Sequence, residues 1–302
     1  MIKPAKQLGN FEWIATSAIT VPEQQQLMDD YGITDDIITY VTDKDESANY
    51  VYDPENNQQL LIALVPYRLK GEKMRYIARP VGFLIHRGRI FTFNDSNLDF
   101  IDEALEKAFV DDEVTTPASF ILEALFAFID SYIPIIKQVT KQRNQLDKQL
   151  NRDPKNNMLV DLSNLGQTLT FFFSGVESNS DLFVRIPRTY FGVNNSSYER
   201  DQLEDVAIEA DQVRRMIENE SQVVDRIINT FDSIINNNLN DTMRFLTIWS
   251  LTMAVPTIVT GFYGMNVKLP LAGLHDAWLF VVGLSLAAIV WLLLTIKFHH
   301  KP

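Results

Sequence analysis

Two apolar segments without a charged residue lie close together near the end of the chain, and they constrain the fold more than any other feature. They cover residues 245–265 and 277–296, with the short loop 266–276 between them. A helix of about 20 apolar residues crosses the hydrocarbon core of a bilayer, so each segment is long enough for one span. Because the loop is short, the two predicted spans form a hairpin and bring both chain ends to one side of the membrane.

The charges of the chain are divided unevenly between the spans and the region before them. The 302 residues have a formal net charge of −12, and all but one of the 39 acidic residues precede Arg244. Arg244 lies before the first span and Lys297 and Lys301 follow the second, so the positive-inside rule places both chain ends in the cytoplasm. An acidic surface repels nucleic acid and attracts cations, although solubility alone also explains it. We therefore expect a multi-pass protein of the plasma (inner) membrane of a bacterium, without a nucleic-acid partner.

Several classes of function are excluded by residues and motifs that the sequence lacks. The chain has no cysteine, so disulfides and thiolate metal sites are excluded, and its four histidines make a structural zinc site unexpected. We find no phosphate-binding loop, nucleophile motif or metal-hydrolase spacing, and therefore predict that the chain is not an enzyme. No apolar stretch follows the N-terminus, so no signal peptide is predicted.

The region before the spans begins with an α/β pattern and then changes to long helices. Short β-rich runs alternate with helical segments over residues 1–116, and Arg87-Gly88 between two such runs predicts a β-hairpin. Apolar residues at helical spacing predict one helix over 118–150 and a second over 157–184, which together form a helical hairpin.

From Tyr198 the helical pattern continues without interruption into the first span and ends near Tyr263. An apolar stripe follows this long helix, which therefore needs partner helices from the same chain, from sister subunits or from both. The predicted fold class is an α+β membrane protein. Its regions are an N-terminal cytoplasmic α/β domain over 1–116, a cytoplasmic helical hairpin over 117–197, a stalk helix over 198–243 and a transmembrane domain over 244–302, with spans at about 244–264 and 277–296.

A Gly-Met-Asn sequence closes the first span. It consists of Gly264, Met265 and Asn266, and a short loop and the second span follow it. This sequence in this place resembles the signature of the CorA family of magnesium channels and transporters, and residues 243–248 and 256–257 resemble that family's pore helix. The resemblance implies a homopentamer in membrane lipid, whose first span lines a central pore for divalent cations.

Asn266 is the residue that we expect to select the ion. Mg²⁺ releases its water reluctantly and prefers octahedral oxygen ligation. A ring of neutral oxygens accepts hydrogen bonds from the water shell, and the Asn266 amide supplies such an oxygen. Gly264 lets the chain leave helical geometry without a Cβ penalty, and Met265 adds a flexible apolar contact. The alternative for Asn266 is a helix C-cap.

One face of the first span repeats every three or four residues and predicts a pore lining. Met243 and Leu246 are the bulky residues near its cytoplasmic end, and they predict a hydrophobic gate that closes by dewetting, with plain packing as the alternative. The family often has a methionine where this chain has Ala254, so Met253 is a second candidate at that level. The predicted pore-lining residues are Asn240, Met243, Leu246, Ser250, Ala254, Thr257 and Gly261.

Acidic residues near the start of the stalk helix predict a regulatory Mg²⁺ site. Asp201 and Asp205 are four residues apart and share a helix face. The stretch around them resembles the family's stalk, where an aspartate binds Mg²⁺ between neighbouring subunits, and either residue is a candidate for that role. We expect the partner acid to come from the α/β domain of the next subunit, with Asp95 and Asp99 as candidates. The alternative is a solvated acidic face.

The predicted function is a divalent cation channel that conducts Mg²⁺, with Co²⁺ or Ni²⁺ as further cargo. Mg²⁺ is then both the transported and the regulatory ion, because bound intracellular Mg²⁺ bridges carboxylates of neighbouring subunits and closes the pore. One alternative is a zinc transporter of the ZntB type, which is disfavoured because Met265 is intact and thiol and imidazole ligands are scarce. The other is a membrane-anchored scaffold without transport.

Overall fold

The computed structural model describes residues 1–69, 74–150, 155–265, 267, 270 and 276–299. It divides into two compact units, a first unit of Met1–Asn229 and a second unit of Thr230–Pro302. The strands are β1 Lys6–Leu8, β2 Phe11–Ser17, β3 Asn49–Asp53, β4 Gln58–Arg68, β5 Tyr76–His86 and β6 Arg89–Asn94. The helices are α1 Val21–Tyr31, α2 Asp35–Thr42, α3 Asp99–Phe109, α4 Pro117–Asp130, α5 Tyr132–Leu150, α6 Asn156–Arg185, α7 Tyr190–Val193, α8 Ser197–Tyr263 and α9 Ala277–His299.

The first unit is built on a mixed six-stranded sheet. Its strand order is β1-β2-β6-β5-β4-β3, with β2 and β6 parallel and the other neighbours antiparallel. The predicted hairpin is confirmed, because β5 and β6 pair through His86 and Arg89 on either side of a two-residue turn. Arg87 and Gly88 have φ angles of 51° and 75°, and such positive values match the twist of a tight hairpin.

Helices cover both faces of this sheet. On one face, α1 and α2 bury Leu27 and Ile37 against strand residues that include Phe91. On the other face, α4 places Phe120 5.4 Å from the ring of Trp13 and Phe128 5.7 Å from that of Phe83. Helices α5, α6 and the first part of α8 extend this second core, so the helical hairpin and the sheet share one apolar interior.

The structure corrects two sequence-based expectations about helix limits. The single helix expected over 118–150 is divided at Ser131 into α4 and α5. Pro134 explains the division, because it has no N–H to donate to the carbonyl of Asp130 and its ring crowds that carbonyl. The segment between the predicted helices 157–184 and 198–263, for which no helix was predicted, contains the short helix α7.

Asn179 of α6 closes an open stretch of the sheet edge. Strand β4 runs beyond the last residue that β3 pairs with, Ile62. The Leu64 N–H donates to Asn179 Oδ1 at 2.8 Å, and Asn179 Nδ2 donates to the Leu64 carbonyl at 2.8 Å. The Tyr132 hydroxyl donates to the same carbonyl at 3.1 Å. A fully buried side-chain amide thus takes the place of a neighbouring strand and protects the edge.

The start of α8 is held by a buried carboxylate. The backbone N–H and the hydroxyl of Ser196 donate to Glu199 Oε2 at 2.6 and 2.9 Å, and the Glu199 N–H donates to Ser196 Oγ at 3.3 Å, which completes a capping box. The Thr116 hydroxyl, at the start of α4, donates to the other carboxylate oxygen. Glu199 therefore joins the first turns of two helices.

Candidate functional site

The second unit consists of the later part of α8 and of α9. Both belong to the segments that are long and apolar enough to cross a membrane by length and composition. The ring of Tyr263 lies 6.3 Å from that of Phe280, where the two helices meet. One stripe of α8 is partly buried and consists of Ile248, Thr252, Val255, Pro256, Val259 and Tyr263.

The predicted pore-lining residues lie outside this stripe and are exposed. Met243 and Leu246 expose 58% and 57% of their surfaces, so neither packs as a core residue within its own chain. Ala254 and Met253 are both exposed, and therefore both remain candidates for the same level. The structure thus leaves one face of α8 uncovered by α9, and it includes Asn240, Met243, Leu246, Ser250, Ala254, Thr257 and Gly261.

Hydroxyl groups near the end of α8 present acceptor oxygens. The Thr257 hydroxyl donates its proton to the Met253 carbonyl at 3.0 Å, and the Thr260 hydroxyl donates to that of Pro256 at 2.8 Å. A hydroxyl whose proton is used inside the helix has only lone pairs to offer outwards. Such oxygens suit a cation or the hydrogen atoms of its water shell. Thr260 was not among the sequence candidates because it falls outside the repeat that defined them.

The Gly-Met-Asn sequence begins where α8 ends. The Gly264 N–H donates to the Thr260 carbonyl at 2.9 Å, and the Met265 N–H donates to that of Phe262 at 3.3 Å. A Cβ at Gly264 would lie 3.2 Å from the Thr260 carbonyl oxygen, a tight contact that requires a shift of a few tenths of an ångström. Gly264 is not among the described glycines with a positive φ angle. Asn266 itself lies outside the described residues.

Asp201 and Asp205 are exposed on α8 and line a cavity of about 460 Å³. We call this cavity, with Glu113, Glu123, Phe126 and Tyr198 also in its wall, the acidic pocket. Its acidic neighbours from the same chain are thus Glu113 and Glu123, which sequence reasoning missed because they are some 80 residues away. The only local signal was the acidic run 111–113 before α4.

Two ionisable side chains in the wall of the acidic pocket have raised pKa values. Burial raises the pKa of Glu123, and the charges of Asp111 and Glu113 raise it further. The Tyr198 hydroxyl donates to Glu113 Oε2 at 2.8 Å, and this bond, with burial, raises the pKa of Tyr198. Crowded carboxylates of this kind repel one another and favour an added positive charge.

The described part of one chain does not complete a metal centre. No group of three or more acidic or histidine side chains has the geometry to hold a metal ion among these residues. Asp95 lies 3.8 Å from Lys44, and Asp99 is in the first turn of α3; neither lines the acidic pocket. Asp201 and Asp205 would therefore need ligands from another chain or from water to bind Mg²⁺.

Comparison with known proteins gives consistent results. A family model described as CorA-like Mg²⁺ transporter protein matches residues 9–300. The cobalt/magnesium transport protein CorA of Methanocaldococcus jannaschii is 26% identical over 161 residues, which are 53% of this chain and 50% of that protein. The aligned region thus spans about half the length of the curated relative.

Solved structures share the fold. The complete CorA magnesium transporter from Methanocaldococcus jannaschii has a TM-score of 0.82 and 21% identity over 97% of this chain and 91% of its own. The full-length CmaX protein has a TM-score of 0.74 and 16% identity, over 95% of this chain and 88% of its own. The ZntB cytoplasmic domain from Vibrio parahaemolyticus has a TM-score of 0.57 and 11% identity, over 78% of this chain and 90% of its own. The first of these matches confirms the predicted fold class, with its α/β domain, long helix and C-terminal apolar helix.

Proposed function

The chain belongs to the CorA-like Mg²⁺ transporter family, and we propose from this membership that it conducts Mg²⁺, with Co²⁺ or Ni²⁺ as further cargo, across a bacterial plasma membrane. The observation that carries the proposal is the exposed face of α8, which runs from Asn240 to Gly261 and leads to Gly264 and Met265. Membership of a transporter family also confirms the sequence-based exclusion of an enzyme.

The exposed face supports an assembly of several copies around a common axis. Ser250 and Thr257 carry hydroxyl groups, and hydroxyl lone pairs that face hydrocarbon stay unsatisfied, which costs free energy. If the same face of five copies surrounds a water-filled pore, these hydroxyls are hydrated and α9 faces lipid. A homopentamer with both chain ends in the cytoplasm satisfies this requirement and the charge distribution of the sequence.

Selection and gating are assigned to opposite ends of this face. At the outer end, a ring of Asn266 amides accepts hydrogen bonds from the water shell of Mg²⁺, so that the ion keeps its water. At the inner end, rings of Met243 and Leu246 exclude water and close the pore. Both side chains are exposed in one subunit, as a ring formed by several copies requires.

Regulation is assigned to Asp201 and Asp205. Mg²⁺ bound there between subunits offsets carboxylate repulsion and stabilises the closed assembly, so high intracellular Mg²⁺ reduces flux. Replacing both residues with alanine makes flux and protease resistance respond less to internal Mg²⁺, whereas the exposed Asp225→Ala change on the same helix leaves the response intact. An unchanged Mg²⁺ response in the double variant would show that the Mg²⁺ sensor is not on this stretch of α8.

The direct test is transport by the purified full chain in liposomes that contain a Mg²⁺-sensitive dye. We expect Mg²⁺ to enter only vesicles that contain the protein. Entry of Zn²⁺ without Mg²⁺ would instead support the ZntB-type alternative. Entry of neither ion into vesicles that contain correctly inserted protein would support the scaffold alternative and overturn the proposal.

A further inference from the structure

An apolar pocket lies on one flank of α8 within the first unit. Its volume is about 490 Å³. Most of the residues that line it are apolar, and Arg200 and Glu204 line it as well. Val184 and Val193 at this pocket expose 71% and 62% of their surfaces, although both are apolar. We call this cavity, whose wall includes Phe183, Val184, Val193, Leu203 and Ala207, the apolar pocket.

The acidic pocket lies on the opposite flank of the same stretch of α8. The helix contributes Arg200, Leu203 and Ala207 to the apolar pocket, and Asp201 and Asp205 to the acidic pocket. At 3.6 residues per turn, the two sets point about half a turn apart. In a ring of copies whose neighbours lie on these two flanks of α8, the apolar pocket of one copy faces the acidic pocket of the next, because cyclic contacts join unlike surfaces.

The chemistry of the two flanks is complementary. Phe126 of α4 is at the acidic pocket and exposes 38% of its surface. Arg200 is exposed, and within the described chain no salt bridge joins it to an acid. Within the described part of the chain, Glu123, Asp201 and Asp205 likewise have no salt bridge to a basic side chain. One flank thus offers an apolar cavity and a free cation, and the other offers an apolar ring and free carboxylates.

We infer that the apolar pocket of one subunit receives Phe126 of the next subunit, while Arg200 faces the carboxylates of that subunit's acidic pocket. This contact rests on the proposed ring assembly and specifies which surfaces meet. It covers the exposed valines and Phe126 together, which removes apolar surface from water on both partners. It also places a cation beside Asp201 and Asp205, which offsets part of their mutual repulsion and competes with Mg²⁺ for their carboxylates.

Cysteine cross-linking tests this contact without background, because the chain contains no cysteine. The variant Phe126→Cys with Val184→Cys is treated in native membrane vesicles with a short bifunctional thiol reagent. The matched control is Val160→Cys with Val184→Cys, since Val160 is 61% exposed on α6 and lines neither pocket. We expect a ladder of cross-linked subunits up to the closed ring in the first variant, at several-fold the yield of the control.

Oligomer mass and Mg²⁺ uptake are measured on the same proteins, which separates this inference from the proposed function. An oligomer that transports Mg²⁺ but gives no ladder with Phe126→Cys and Val184→Cys overturns the contact alone. Equal ladders in both double variants also overturn it, because another surface then reaches the apolar pocket. A specific ladder in a protein that transports no Mg²⁺ supports the contact and overturns the proposed function.

Discussion

The α4–α5 stretch and the two helices of the second unit are all apolar enough to cross a membrane, yet they are buried to very different extents. In the most apolar window of Pro117–Leu150, 56% of the residues are buried, compared with 0% in Ser197–Tyr263 and 6% in Trp278–Thr295. Helix α4 lies on a sheet that supplies Trp13 and Phe83 as partners, whereas in the second unit the later part of α8 meets α9, as the contact of Tyr263 with Phe280 shows. The same apolar composition thus serves a protein core in one unit and requires lipid or sister subunits in the other.

Asn266→Ala is expected to have the largest effect. It should reduce transport through the second unit and leave the stability of the first unit unchanged. Each hydrogen bond to the water shell is worth about 1 kcal/mol, and every subunit loses its bond at once. Five such bonds sum to about 5 kcal/mol, and a factor of ten corresponds to about 1.4 kcal/mol, so we expect Mg²⁺ uptake in liposomes to fall by up to a few thousandfold. Thermal unfolding of the first unit should not change.

The matched control for this change is Asn219→Ala, which alters an exposed asparagine on α8 within the first unit. We expect its uptake to equal that of the unchanged protein. Near-normal uptake and selectivity in Asn266→Ala would show that the amide ring does not select the ion.

The second prediction concerns the gate and tests whether exposed apolar residues of the second unit face water or lipid. Leu246→Asp or Met243→Gly hydrates the narrow ring and should raise basal Mg²⁺ flux several-fold. Leu251→Gly serves as the control, because Leu251 is exposed on a different side of α8 from the predicted pore face. If both gate variants assemble and leak no more than the control, Met243 and Leu246 are packing residues and the gate lies elsewhere.

The third prediction examines the first unit, where polar groups are buried rather than hydrated. Asn179→Leu keeps the size of the side chain but leaves the Leu64 N–H without its partner. One buried unsatisfied group costs about 1–3 kcal/mol, which for a unit of this size lowers Tm by roughly 2–12 °C. Proteolysis of the detergent-solubilised chain at rising temperature measures this shift.

Ser180→Ala is the control for Asn179→Leu, since the Ser180 hydroxyl only donates to a carbonyl of its own helix. Its stability should change by no more than about 0.5 kcal/mol. A Tm for Asn179→Leu equal to that of the control would mean that the edge of β4 does not depend on Asn179.

The smallest expected effect is the pH dependence contributed by Glu199. Burial raises the pKa of Glu199, but hydrogen bonds from Thr116 and Ser196 outweigh it, so the net pKa is lowered. A lowered pKa stabilises the fold fully above the unfolded-state value of about 4.3, and that stability is lost as pH falls further through the folded-state pKa.

Glu199→Gln should therefore cost about 1 kcal/mol at pH 7, the typical value of a helix cap, and less at pH 3. Melting curves at both pH values measure the difference, with Glu55→Gln in an exposed turn as the control. A cost that does not shrink at low pH would assign the role of Glu199 to packing rather than to its charge.

Features that depend on neighbours in the chain were predictable from the sequence. The absence of charge over 245–265 and 277–296 indicated the apolar helices, and Arg87-Gly88 indicated the hairpin, because length and turn chemistry act locally. The division at Ser131 was predictable in principle, since Pro134 is a local signal that the helical periodicity concealed. Asn266 stays a prediction, as it lies outside the described residues.

Only the tertiary structure decided which distant groups meet. The pairing of Asn179 with Leu64, the parallel alignment of β2 and β6, and the acids Glu113 and Glu123 beside Asp201 and Asp205 all join residues far apart in the chain. Periodicity places a residue on a face of its own helix or strand, but it carries no information about what that face packs against. The partly buried stripe of α8 from Ile248 to Tyr263 therefore followed from packing, whereas the pore face that spacing indicated stays a prediction.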